Sequence, residues 1–305
     1  MRIVLFGQAA FGQKVLEALI EGGEEIVAVY TPPDSPSRPD TLKEKALELD
    51  IPVHQPKRLR DPEVYEEYKN LKAGLNIMAF VTDIMPEPIL NYPKYGTIMY
   101  HPSLLPRHRG GSAINWAVIN GETKTGVSII WPDRGLDTGP ILLQKEAEIA
   151  PDDTVGSLYF NKLFPLGVEA ILESVELIKQ GKAPRIPQDD SQATYEKLYT
   201  EEDAVIDWNR PSAEIYNLIR GTNPQPGAST RYGGITLKIF DSELLSDTAQ
   251  GKPGEMTNVS DKGFTVAAGD GSILVKRVQA KGSPKVAAAE FARQMGLKPG
   301  DRLGE

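Results

Sequence analysis

Cysteine is absent from the 305-residue chain, which excludes disulfides and thiolate metal sites and suits a reducing compartment. Histidine is scarce, with only His54, His101 and His108. No H-E-x-x-H pattern or comparable cluster of ligands is present, so no metal is expected. Long apolar runs are missing, and none approaches the ~18–20 residues a membrane span needs. Met1 leads directly into a strand-like run with no signal peptide in front, and a cytoplasmic protein is the expectation. Positive charge is in deficit, with 34 Lys and Arg against 42 Asp and Glu, a net −8. Residues 1–203 carry 21 basic and 31 acidic side chains, and 204–305 carry 13 and 11. No basic face of the kind phosphate contacts require stands out.

The phosphate-binding glycine loops are also missing. The turn after the first apolar run is Gly7-Gln8-Ala9-Ala10-Phe11-Gly12, which is neither G-x-G-x-x-G nor a P-loop. Its glycines are read as allowing a tight strand-to-helix turn. Thr31–Asp40 is a proline-rich loop.

What is present is alternation. Arg2–Phe6, Glu25–Tyr30, Leu75–Phe80 and a short strand from Val53 read as strands. Phe11–Glu21, Thr41–Leu49 and Glu63–Lys72 read as amphipathic helices between them. That order predicts an α/β domain with a parallel sheet. Ser112–Val118 reads as a helix capped by Ser112, Thr125–Trp131 as a strand, and Pro151–Thr154 as the start of a long helix to about Ile178. A second domain is expected from about residue 202. There Ala213–Arg220 is helical, and closely spaced strands at Ile235–Phe240, Gly254–Ser260, Gly263–Ala267 and Ile273–Val278 suggest a small barrel.

Chemistry concentrates in Gly96–Gly111, GTIMYHPSLLPRHRGG. A short buried strand ends at His101-Pro102, and Ser103–Pro106 makes a loop. Reactive groups in a parallel sheet sit at such strand ends. Asp137 lies between two glycines in Asp133–Gly139, DRGLDTG. His101 and Asp137 are the one pair with acid–base potential, since a carboxylate beside an imidazole holds its charged form. Spacing alone does not bring them together. A hydrogen-bonded histidine at a turn and an ordinary hairpin acid have the same pattern. Ser103 could complete a triad, but no G-x-S-x-G elbow accompanies it. Ala79–Pro88, AFVTDIMPEP, is a second strand-end loop whose backbone could line a pocket.

His101–Pro106, Arg109-Gly110 and Gly135-Leu136-Asp137-Thr138-Gly139, with Asp152–Thr154, Tyr159, Thr194-Tyr195 and Ile206–Trp208, resemble the 10-formyltetrahydrofolate-dependent formyltransferase family over essentially the whole chain. Phe6–Gln8, Phe11–Gln13, Tyr100–Pro102, Arg107–Gly110, Ser112–Trp116 and Leu163–Pro165 are most similar to its hydrolase members, the hydrolase domain of 10-formyltetrahydrofolate dehydrogenase. The resemblance implies a Rossmann-like formyltransferase domain at 1–201 and a small OB-like β-barrel domain at 202–305. It implies His101 and Asp137 as catalytic residues. Folate contacts would come from Asp83, Ile84, Met85, Ser103, Leu104, Leu105, Pro106 and Asp137, with a cis peptide at Leu105-Pro106. The donor would be 10-formyltetrahydrofolate and the product tetrahydrofolate.

The family pattern has Asn-x-His where this chain has Met99-Tyr100-His101. Alternation places Met99 and His101 on one strand face. An asparagine amide would donate to the oxyanion of formyl transfer, and Met99 cannot, as in the hydrolase members. Trp116 and the chain-wide hydrolase-like motifs make hydrolysis to tetrahydrofolate and formate the expectation. Transfer to initiator methionyl-tRNA or another amine is the alternative, and a folate-binding protein without turnover is a third reading. The early loop TPPDSPSRPDTLKEK is short and mixed in charge, which weakens the tRNA reading; the ending Pro299–Leu303 resembles the tRNA enzymes. No carrier or aldehyde dehydrogenase segment follows, so the full dehydrogenase reaction is not expected.

Overall fold

A computed structural model describes residues 1–34, 39–245 and 250–304. The middle of the proline-rich loop, 35–38, lies outside the described residues. The chain groups into two compact units. One holds Met1–Gly110, Gly126–Ala147 and Asn161–Tyr195, and the other holds Gly111–Thr125, Glu148–Phe160 and Glu196–Glu305.

The first part runs β1 (Arg2–Gly7), α1 (Ala9–Glu21), β2 (Glu25–Tyr30), α2 (Thr41–Glu48), β3 (Val53–His54), α3 (Pro62–Lys69), β4 (Leu75–Ala79), α4 (Glu87–Leu90) and β5 (Thr97–His101). Next come β6 (Arg109–Gly110), α5 (Ala113–Ile119), β7 (Lys124–Ile130), β8 (Ile141–Glu148), α6 (Val155–Leu158), a π turn at Tyr159–Leu163, and α7 (Phe164–Lys179). The central sheet has the order β3-β2-β1-β4-β5-β7-β8. Strands β1 to β5 pair in parallel, and β7 turns antiparallel against β5.

Five of the six β1 residues are buried. Strands covered by helices on both faces read as continuous apolar runs, which is why Ile3–Phe6 does not alternate. In α1, Phe11, Val15, Leu16 and Leu19 form the buried stripe, and each such side chain contributes roughly 1.5–3 kcal/mol. Gly7 is required by packing, because a Cβ there would stand 2.5 Å from the Ala79 carbonyl oxygen of the neighbouring strand.

Two local expectations change. The long helix expected to open at Pro151–Thr154 and run to about Ile178 begins at Val155 and is interrupted by the π turn. Its start is a capping box, with the Ser157 amide donating to Thr154 Oγ1 and the Thr154 amide to Ser157 Oγ. Ser112 does precede a helix, but it sits in the left-handed region at φ 56° and makes no side-chain cap. Its hydroxyl instead accepts the Tyr199 amide at 3.0 Å.

The second unit is built on an antiparallel sheet. It contains β9's second residue (β9, Tyr195–Glu196), α8 (Ser212–Gly221), β10 (Ala228–Tyr232), β11 (Ile235–Leu245), β12 (Met256–Ser260), β13 (Gly263–Ala267), β14 (Ser272–Ala280), β15 (Val286–Ala287) and α9 (Ala288–Met295). The order is β10-β11-β14-β13-β12, with β15 on β14. Leu237, Ile239, Phe264, Val266 and Val275 meet Ile215 and Ile219 of α8 and Phe291 of α9 in one core.

Candidate active site

The parallel strands place Gly7, Tyr30, Ala79 and His101 at one end of the central sheet. The order reverses between β1 and β4, the position where open α/β sheets bind ligands. A cavity of about 290 Å³ opens there, lined among others by Gln8, Tyr30, Lys57, Phe80 and Asp83.

His101 is the last residue of β5, and its side chain is buried. Its Nε2 lies 2.8 Å from the His108 carbonyl oxygen. A carbonyl only accepts, so Nε2 carries a hydrogen, and Nδ1 is left to exchange a proton. Nδ1 lies 3.6 Å from Asp137 Oδ2. The structure therefore brings His101 and Asp137 together, which spacing alone did not establish.

Asp137 is carried by the loop between β7 and β8, in the left-handed region at φ 56°. Its Oδ2 accepts the Gly110 amide at 2.7 Å. The segment 108–110 thus holds both partners, the imidazole through the His108 carbonyl and the carboxylate through the Gly110 amide. Burial pushes the His101 imidazole down from its ordinary value, while the Asp137 charge and the His108 carbonyl oppose that shift. At neutral pH the imidazole is a buried neutral base whose charged form the carboxylate favours.

Met99 is half-buried two residues before His101. It packs against Leu105, Ile130 and Ile141. No amide stands at this position.

The residues expected to touch folate fall in two places. Asp83 lines the cavity, and its carboxylate accepts the amides of Leu59 and Ile84 at 2.7 and 2.8 Å. Ile84 is 78 % exposed and Met85 is buried. Ser103–Pro106 is held by hydrogen bonds to Arg107, to Ser128 of β7 and to Gln144 of β8. The Ser103 hydroxyl donates to the Arg107 carbonyl at 2.7 Å, and the Ser103 carbonyl accepts the Ser128 hydroxyl at 2.6 Å. The Leu105 amide donates to Ser128 Oγ at 3.1 Å, and the Leu105 carbonyl accepts Gln144 Nε2 at 2.8 Å. The Leu105-Pro106 peptide is cis. Ser103 Oγ is thereby tied to backbone, and no contact joins it to His101 as a triad. Among the described residues no cluster of three His, Asp or Glu side chains is placed to hold a metal ion, and no helix is long and apolar enough to cross a membrane.

Sequence reasoning missed the support around this pair. Arg109 is 1 % exposed. Its guanidinium donates to Gln188 Oε1, Tyr195 Oη and Asp190 Oδ1. The lone glutamine in Arg185–Asp190 belongs to no motif, and only the fold brings it here.

A family model described as formyl transferase matches residues 1–175, and one described as formyl transferase, C-terminal domain, matches 199–296. The chain belongs to the formyl transferase family. It is similar to the methionyl-tRNA formyltransferase of Geobacter sulfurreducens, 40 % identical over 311 residues, covering 100 % of this chain and 97 % of that protein. It is similar also to the cytosolic 10-formyltetrahydrofolate dehydrogenase of Mus musculus, 41 % identical over 305 residues, covering 95 % of this chain and 34 % of that protein. The chain thus spans about a third of the dehydrogenase. Among solved structures, an N-formyltransferase from Helicobacter canadensis in complex with folinic acid and dTDP-3-aminofucose shares the fold. Its TM-score is 0.71 at 20 % identity, over 91 % of this chain and 98 % of that one. HypX from Aquifex aeolicus in complex with tetrahydrofolic acid shares it at a TM-score of 0.68 and 21 % identity, over 96 % of this chain and 47 % of that one.

Proposed function

We propose that this formyl transferase family enzyme removes the formyl group of 10-formyltetrahydrofolate to water, giving tetrahydrofolate and formate. The observation that carries the reading is Met99, an apolar side chain packed on Leu105, Ile130 and Ile141 beside His101. The resemblance gives the transferases an asparagine amide here, a donor to the oxyanion of the kind worth ~3–4 kcal/mol in acyl-transfer sites, and gives the hydrolase members an apolar residue. Here His101 is the remaining donor on that strand face.

In the proposed reaction, water adds to the formyl carbon as its proton passes to the His101–Asp137 pair. The oxyanion that forms is met by the charged imidazole through Nδ1. Collapse breaks the bond from carbon to N10, N10 takes the proton back from the imidazole, and the formic acid released ionises to formate. Asp83–Met85 and Ser103–Pro106 are the proposed walls of the folate site, with Ser103–Pro106 held by its hydrogen bonds to Arg107, Ser128 and Gln144.

A second reading, formyl transfer to initiator methionyl-tRNA, is favoured by one observation: the similarity to the Geobacter sulfurreducens methionyl-tRNA formyltransferase extends over 97 % of that protein. Tetrahydrofolate release, measured with and without charged initiator tRNA, separates the two. Release without tRNA, lost in His101→Ala and Asp137→Ala, supports hydrolysis. Release only with tRNA overturns it. Folate binding without release in either case points to a binding protein.

A further inference from the structure

Asp137 is presented by an exposed loop. Residues 133–136 are all exposed, and Leu136 is 59 % so. Such a loop does not by itself fix a carboxylate 3.6 Å from an imidazole. Within the loop, Asp133 Oδ1 accepts the Gly135 amide and the Thr138 hydroxyl at 2.9 and 2.6 Å. These contacts shape the turn, and Arg134 pairs with Glu87 of α4 at its exposed tip.

The tie at Asp137 itself comes from Gln188. Ile186 pairs with Ile141 at the start of β8, with amide-to-carbonyl distances of 2.8 and 2.9 Å. That bridge carries the following residues alongside the Asp137 loop. Gln188 Nε2 donates to the carbonyls of Asp137 and Gly139 at 2.8 and 2.7 Å. Its Oε1 accepts Arg109 Nε and Nη2 at 3.1 and 2.8 Å. The amide fits in only one orientation, because a guanidinium only donates and a carbonyl only accepts. Arg109 in turn is fixed, with Nη1 donating to Tyr195 Oη and Nη2 to Asp190 Oδ1, both at 2.7 Å. Its own amide donates to the Thr194 carbonyl at 2.9 Å.

The next residue, Gly110, donates its amide to Asp137 Oδ2. Asp137 is therefore gripped twice from one hub, its carboxylate by Gly110 and its backbone carbonyl by Arg109 acting through Gln188. We infer that Gln188 is a positioning residue: its amide transmits the fixed placement of buried Arg109 to the loop and so holds Asp137 against His101. The inference rests on the proposed use of Asp137 in formyl release. The groups facing the imidazole are Asp137 and His108, so displacement of Asp137 removes the one anion that raises its proton affinity.

Two substitutions separate this role from support of the fold. Gln188→Glu keeps an acceptor for the guanidinium, so Arg109 stays paired, but it has no hydrogen to give the Asp137 and Gly139 carbonyls. Gln188→Met removes both functions without adding charge. Tetrahydrofolate release from 10-formyltetrahydrofolate is measured on the full chain for kcat and KM. The His101 imidazole is titrated by NMR in the wild type and in Gln188→Met.

Both variants are expected to lose kcat by about tenfold or more, the scale of a misplaced catalytic group, with KM within about twofold of the wild type. The imidazole pKa falls in Gln188→Met. Wild-type kcat in Gln188→Glu, or an unmoved imidazole in Gln188→Met, overturns the inference. If the wild type releases no tetrahydrofolate, the functional reading fails, and the titration still decides whether Gln188 holds Asp137 in place.

Discussion

His101 Nδ1 faces Asp137 Oδ2 at 3.6 Å while Nε2 of the same ring is committed to the His108 carbonyl. One nitrogen is spent on position and the other is left for chemistry. The two residues are far apart in sequence. They meet because β5 ends where the loop between β7 and β8 folds back across it, and because segment 108–110 bonds to both.

Asp137→Asn keeps an oxygen for the Gly110 amide and removes the charge. Formyl release should fall by about 10²–10⁴, the usual worth of a positioned acid–base group. Thermal unfolding should stay within a few degrees of the wild type, because the Gly110 and Gln188 bonds can both persist. Steady-state assays beside a melting curve check the pair of outcomes.

The imidazole of His101 titrates below its ordinary value near 6.5, because burial outweighs the help of Asp137. A group depressed in the folded state contributes stability above its unfolded pKa, and that contribution is lost as pH falls through the folded value. Stability should therefore decline on acidification from about pH 6.5 downward. Asp137→Asn, which removes the opposing charge, should move the imidazole lower still. Histidine NMR and denaturant titrations at several pH values test the sign.

Met99→Asn places an amide on the strand face shared with His101. Oxyanion stabilisation predicts faster formyl release to water and to a supplied amine alike, by about tenfold or more. The cost is stability, about 1–3 kcal/mol, because the amide enters the contact with Leu105, Ile130 and Ile141. Parallel assays of formate and formylated amine measure both rates.

Gly139→Ala should be more damaging than its size suggests. A Cβ there would collide with the Trp131 carbonyl oxygen, and backbone does not yield as a side chain does. The loop must shift, and with it the Gly139 carbonyl that Gln188 grips. A loss of about 1–3 kcal/mol in stability, with a disproportionate fall in formyl release, is the expected outcome.

Much of the fold was legible because strands β1, β2 and β4 are short apolar runs between helices with clear stripes. The parallel order follows from that alternation. His101 was legible as a strand-end residue, and Asp137 as an acid between glycines. Their meeting was not, since a contact made through a long hairpin leaves no spacing signal. The Arg109–Gln188 support was invisible for a related reason: Gln188 lies in a loop of mixed composition, and its partners are Arg109 and the carbonyls of the Asp137 loop. The Ser112 cap failed because Tyr199, also distant in sequence, claims the hydroxyl.

The most direct test of the account is tetrahydrofolate release from 10-formyltetrahydrofolate with water as the only acceptor. The account predicts steady multiple turnover with one formate per tetrahydrofolate, reduced by about 10²–10⁴ in Asp137→Asn. Release that appears only when charged initiator tRNA is added, with formyl recovered on the methionine, would contradict it.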